Sequence, residues 1–289
     1  MTPETALAAI RFVHFGAVVL LLGTVVFRRH FAAGSLAAAL AGRLVGWERA
    51  AAVVALASAL GWLLAEAAVA GDGWASAADP GILTDLLTGT TFGNVWLLRA
   101  VIAILTLVAA VAGWGGALEV GAAALALSLG RVGHGVMLDG AGGWWLSAAF
   151  GLHVAAVAVW LGALPAILAA LAADVPHLDR LCTIARFSRA GHLAVALTIA
   201  TGCLAARGTL GTWSADLGTP YRQLLAFKMA LVVALVSLAL INGYVTTPRL
   251  ARLLPNAARW LRLGAAGEIA LAAAALAAVA VLGGLSPLG

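Results

Sequence analysis

The chain has 289 residues, 63% of them hydrophobic and 10% charged, with a mean hydropathy of +1.05. A soluble domain is about half apolar and a quarter charged, and a body of this size has too much surface to hide the excess, so a water-soluble fold is excluded. The net charge of +5 would suit nucleic acid in a soluble protein, but here the arginines sit in short segments between apolar runs and report membrane orientation instead.

In chain order, apolar runs fall at about 6–28, 46–70, 92–112, 118–138, 145–171, 189–208, 223–244 and 263–283. Each is close to the ~20 residues that a crossing helix needs. They predict an all-α polytopic membrane bundle of about eight transmembrane helices, one membrane domain over residues 1–289. The first run has no basic stretch before it and ends in Arg28-Arg29-His30, so it is expected to be a retained helix. The segment after the first run holds Arg28, Arg29, Arg43 and Arg49. That after the fifth holds Arg180, Arg186 and Arg189, and that after the seventh Arg249, Arg252, Arg259 and Arg262. The opposite segments, 71–91, 139–144 and 209–222, contain Arg222 as their one arginine and carry Asp72, Asp79, Asp85, Asp139 and Asp216. The positive-inside rule then puts both termini outside. Cys182 and Cys203 fit no metal-binding or disulfide spacing.

The halves, about 1–140 and 141–289, share spacings. His14, Ala17 and Gly23 match His153, Ala156 and Gly162, at offsets of three and nine in both. Arg49 and Gly61 match Arg189 and Gly202 to within one residue, Phe92 and Arg99 match Tyr221 and Lys228, and Glu119 and Glu268 open the last run of each half. These pairs predict a 4+4 parallel internal repeat. With four helices each, the halves would be related by an axis along the membrane normal.

An ionisable side chain in lipid costs several kcal/mol and asks for a reason. His14 and His153 lie roughly 12 Å below the outer ends of their helices, and His134 about 6 Å. Three imidazoles therefore share one leaflet, with Met137 one turn beyond His134 and Glu66 at similar depth. Imidazole suits copper, zinc, iron and nickel, and its second nitrogen needs a partner, for which Glu66 and Asp139 are candidates. Each histidine is equally open to a bland reading, as a hydrogen bond between helices. His30, His177 and His192 lie toward the basic side and are set aside. Arg99, Arg131 and Lys228 are cations in the outer half and would suit an anionic partner such as Glu66 or haem propionates. No phosphate-binding loop is present, and no nucleophile, base and orienter assemble, so neither an ATPase nor a hydrolase is expected.

The stretches RFVHFGAVVLLLGTVVF (11–27), TTFGNVWLLRAV (90–101), GHG (133–135), GLHVAAVAVWLGALPAI (151–167), FSRAGHLAVALTIATG (187–202) and TPYRQLLAFKMAL (219–231) give the sequence a family likeness. It resembles the copper resistance protein D (CopD) family of bacterial inner-membrane proteins, and the pattern His153, Trp160, Leu161, Gly162 is the most specific part. The resemblance implies copper handling across the cytoplasmic membrane, a separate periplasmic copper-binding partner of the CopC type, and metal ligation by His14, His134 and His153. Methionine is scarce, with three in the chain, which argues against a methionine-lined copper route. The leading expectation is an inner-membrane copper-binding or copper-transport protein with a histidine site in the outer half, and not an enzyme. A b-type haem cytochrome ligated by His14 and His153, with Arg99, Arg131 or Lys228 on the propionates, is the alternative. A metal-free scaffold or small-solute carrier is the third reading.

Overall fold

In lipid the backbone must satisfy its own polar groups, so apolar runs of this length fold as helices. The computed structural model of the chain describes residues 1–131, 140–210 and 217–286. Its helices are α1 (Pro3–Val26), α2 (Gly34–Ala70), α3 (Pro80–Gly89), α4 (Thr91–Ala112), α5 (Gly115–Ser128) and α6 (Gly140–Trp160). They continue with α7 (Leu164–Ala172), α8 (His177–Leu210), α9 (Pro220–Ile241), α10 (Thr247–Ala251) and α11 (Ala257–Leu282). Among the described residues there is no strand, and seven helical segments are long and apolar enough to cross a bilayer. The fold is an all-α polytopic bundle. The fourth apolar run yields α5, 14 residues long, and a 3-10 turn at Leu129–Arg131. The rest of that run, with His134 and Met137, and Asp139 just after it lie outside the described residues.

Two helices start earlier than their apolar runs. α2 begins at Gly34 rather than near 46, and α8 at His177 rather than near 189. At 1.5 Å per residue, the 37 residues of α2 span about 55 Å, far more than the ~30 Å of hydrocarbon. Arg43, between the first two apolar runs, therefore lies on helix rather than in a loop. The two starts are tied together. The backbone N–H and the hydroxyl of Ser35 donate to Asp179 Oδ2 at 2.8 and 2.6 Å, and the N–H of Ala33 donates to Thr183 Oγ1 at 3.1 Å. Gly34 permits this approach, with φ at +53° and no side chain where a Cβ would stand 2.3 Å from Asp179.

The same end of the bundle is laced by charge. Arg28 pairs with the buried Glu48 at 2.6 Å, and Arg29 and His30 both reach Glu119 at 2.6 Å. Arg49 donates to the carbonyl of Ala110 at 3.2 Å, at the end of α4 where carbonyls lack helical partners and the dipole is negative.

α1 runs through the middle of the molecule and packs on α2, α5, α6 and α11. Small side chains allow it, with Ala17, Ala51, Ala52, Ala55 and Ala122 buried in one cluster with Leu21 and Val25. Its crossing with α6 is closer still. A Cβ on Gly162 would stand 2.1 Å from the Val19 carbonyl oxygen, and one on Gly23 would stand 2.1 Å from the carbonyl carbon of Gly162. The fifth apolar run, 145–171, is accordingly not one helix. It breaks after Trp160 and resumes at Leu164, with Gly162 in the gap. Outward faces stay apolar, as at Leu105, Val111 and Val233, and these face lipid.

Candidate functional site

His14 is fully buried on α1. Its Nδ1 lies 3.1 Å from the Ala55 carbonyl and 3.0 Å from Ser58 Oγ, both on α2. A carbonyl only accepts, and the Ser58 hydroxyl already donates to the Val54 carbonyl at 2.6 Å. Nδ1 therefore carries the proton. Nε2 is left as a lone pair, buried and without a hydrogen-bond partner among the described residues.

His153 on α6 is held in the same way by α8. Its Nδ1 lies 3.0 Å from the Thr198 carbonyl and 3.2 Å from Thr201 Oγ1, whose own hydroxyl donates to the Leu197 carbonyl. Here too Nδ1 is the donor and Nε2 the acceptor. Each ring also has one cation bearing on it, Arg99 for His14 and Lys228 for His153. The hydroxyl that holds His14 comes nine residues after Arg49, whereas the one that holds His153 comes twelve after Arg189. Matching the two helices by their arginines is thus off by about one turn.

The carboxylate expected to support the imidazoles does something else. Glu66 accepts from Trp62 Nε1 at 3.0 Å and pairs with Arg11 at 3.5 Å, and neither bond involves a histidine. Trp62 is the hub of this region, 1% exposed, with the His14 ring edge-on at 5.6 Å. The Arg11 and Arg99 guanidinium carbons lie 5.5 and 5.3 Å from its centroid, within the range of a cation–π contact. Arg99, 1% exposed, donates from Nε to Ser128 Oγ at 3.1 Å and from Nη2 to the Ser128 carbonyl at 3.0 Å. That carbonyl ends α5, where the helix dipole is negative. Arg131 sits 4.4 Å over the Trp144 ring. Arg99 and Arg131 therefore have partners within the chain, and their presence does not call for propionates.

Among the described residues no three His, Cys, Asp or Glu side chains gather closely enough to hold a metal ion. What is present is a pair of imidazoles in like settings, each offering an unprotonated Nε2, while His134, Met137 and Asp139 fall outside the described residues. Cys182 and Cys203 are free and exposed. The supporting groups were not singled out from sequence. The acceptors are backbone carbonyls, which no residue type announces, and Ser58, Thr198 and Thr201 resemble any helix-surface hydroxyl. Trp62 carries no signal of its role in the sequence.

Comparison with known proteins gives consistent matches. Residues 1–144 match the family described as copper resistance protein D-like, N-terminal domain, and residues 181–282 match that described as copper resistance protein D. Inner membrane protein YebZ of Escherichia coli (strain K12) is 30% identical over 284 residues, 96% of this chain and 97% of that protein. Copper resistance protein D of Pseudomonas syringae pv. tomato is 32% identical over 222 residues, 70% of this chain and 71% of that one. No solved structure matches. His14, Glu66 and Arg99 lie in the first matched range and Lys228 in the second, while His153 falls between them.

Proposed function

We propose that this chain, which belongs to the copper resistance protein D family, is a multi-pass inner-membrane protein that takes copper onto buried imidazoles. The ligands assigned are His14 and His153, in the half of the bundle away from the arginine-rich end, together with His134, which the family resemblance implies and which lies outside the described residues. The names of the two relatives, one an inner membrane protein and the other a copper resistance protein, support the location and the metal. The observation that carries the reading is the His14 ring. Its Nδ1–H is spent on the Ala55 carbonyl, and its Nε2 lone pair is buried with no partner among the described residues. An imidazole kept only as a hydrogen bond between helices would not strand an acceptor in lipid, where the cost is a few kcal/mol. A metal ligand is built in this way, with one nitrogen fixed by an outer partner and the other free for the ion. Copper here is cargo or bound ion, supplied from the acidic outer side, with a CopC-type periplasmic protein as its donor.

Metal analysis and an absorption spectrum of the purified chain test this together. The expected result is copper in stoichiometric amount and no Soret band. A Soret band would transfer His14 and His153 to haem, and a protein that stays metal-free and colourless after incubation with excess copper would favour the scaffold or solute-carrier reading.

A further inference from the structure

The long helices carry four carboxylates beyond their first turns: Glu48, Glu66, Glu119 and Glu268. Three of them are ion-paired, Glu48 with Arg28, Glu66 with Arg11, and Glu119 with Arg29 and His30. Glu268 on α11 is different. It is 3% exposed, and its two oxygens accept only from neutral groups, Oε1 from Asn242 Nδ2 at 2.7 Å and Oε2 from Trp160 Nε1 at 3.2 Å. It has no ion-pair partner among the described residues. An ionised carboxylate so placed leaves a charge uncompensated in an apolar setting, at a cost of several kcal/mol.

Glu268 also faces space. It lines a partly open cavity of about 320 Å³ bounded by α6, α7, α8, the end of α9, α10 and α11. The titratable groups on the other walls are His192 from α8 and Tyr244 from the turn after α9, and no Lys or Arg lines the cavity. His192 donates from Nδ1 to the Ser188 carbonyl at 2.6 Å and meets the Tyr244 ring edge-on at 5.3 Å. α6 contributes Trp160, and α7 and α10 contribute no charge. The turn holding Asn242 and Tyr244 is π-helical, Asn242–Thr246, a widened geometry that often marks functional positions.

Among the described residues no positive charge meets Glu268, and the walls decide what can supply one. A metal ion needs several donors, but the described residues gather no such set around Glu268. A proton needs none. We propose that Glu268 is a proton-binding site of the membrane interior, loaded and emptied through this cavity, with Asn242 and Trp160 holding the carboxyl in place. The inference does not rest on copper binding.

Dicyclohexylcarbodiimide, which attacks protonated carboxyls in apolar surroundings, is the probe. The purified chain is treated across a pH series, and the labelled residue is located by peptide mass spectrometry. Glu268 should be modified, with labelling falling about tenfold per pH unit once the carboxylate is mostly ionised. Glu48, equally buried but paired with Arg28, should remain unmodified. Glu268→Gln should remove the label without changing bound copper. Gly191→Phe should slow labelling several-fold, because Gly191 lines the cavity and its Cβ direction is open. Labelling of Glu268 no faster than Glu48, labelling independent of pH, or full labelling in Gly191→Phe would each overturn the proposal.

Discussion

Gly162→Ala is expected to abolish or nearly abolish recovery of folded protein, although it adds a single methyl group. The new carbon would stand 2.1 Å from the Val19 carbonyl oxygen of α1, and Gly23 faces the same spot from the other side with a clash of equal size against the Gly162 backbone. These neighbours are backbone, so no side chain can swing away. α1 and α6 would have to separate by more than an ångström, and α1 is the helix around which α2, α5 and α11 pack. Overpacking in a tight core costs about 1–3 kcal/mol, sometimes more, and this contact belongs at the upper end. Gly42→Ala and Gly46→Ala on α2 are the matched controls. Nothing lies within 4 Å of either Cβ position, so the change should be neutral or stabilising by up to about 1 kcal/mol through helix propensity. Recovery of monodisperse protein after detergent extraction, followed by a thermal melt, separates the two classes.

Arg28→Ala should be the most damaging of the charge deletions. Glu48 is 2% exposed and its guanidinium partner lies at 2.6 Å. Removing one partner of a buried pair costs about 3–5 kcal/mol because the other charge is left unmatched. The double variant Arg28→Met/Glu48→Leu removes both charges and should regain most of that loss, since an apolar replacement of a buried pair is often close to neutral. Arg29→Ala is the contrast. Glu119 is 28% exposed and keeps His30, so the loss should stay within about 1 kcal/mol. Unfolding midpoints in one detergent, measured for all four proteins, check the order. Equal midpoints for Arg28→Ala and Arg29→Ala would mean that Glu48 is solvated rather than buried.

Hydropathy located the crossing helices because twenty apolar residues in a row have few other uses. It starts α2 and α8 too late, because glycines and Arg43 interrupt the first turns of α2 and charged residues those of α8, while both stretches are helical. Arg43 and Arg186 were therefore assigned to loops. The break at 161–163 is also hidden, because Leu161, Gly162 and Ala163 are as hydrophobic as their neighbours and the close approach there is to Val19 on another helix. His14 and His153 were legible as a pair from their shared offsets to Gly23 and Gly162. Their partners were not, since the deciding atoms are the carbonyls of Ala55 and Thr198. Charge was read least well. Glu66, a candidate partner both for the histidines and for the buried cations, serves Arg11 and Trp62, while Arg99 is held by a helix C-terminus and an aromatic face rather than by an anion. Glu268 stood out only as the first acid of its run, because its isolation from cations is a property of the packed bundle.

Whether copper sits on these imidazoles is read from the copper-to-protein ratio of single histidine variants. Each is purified from the same copper-loaded membranes, with Cys182 and Cys203 replaced by serine to remove exposed thiols. His14→Ala, His134→Ala and His153→Ala should each elute as folded protein with bound copper lowered at least about tenfold, the scale on which even an outer-shell ligand partner matters. His30→Ala, which touches Glu119 at the opposite end, should keep the full amount. Full copper in all three ligand variants, with normal folding, would contradict the account.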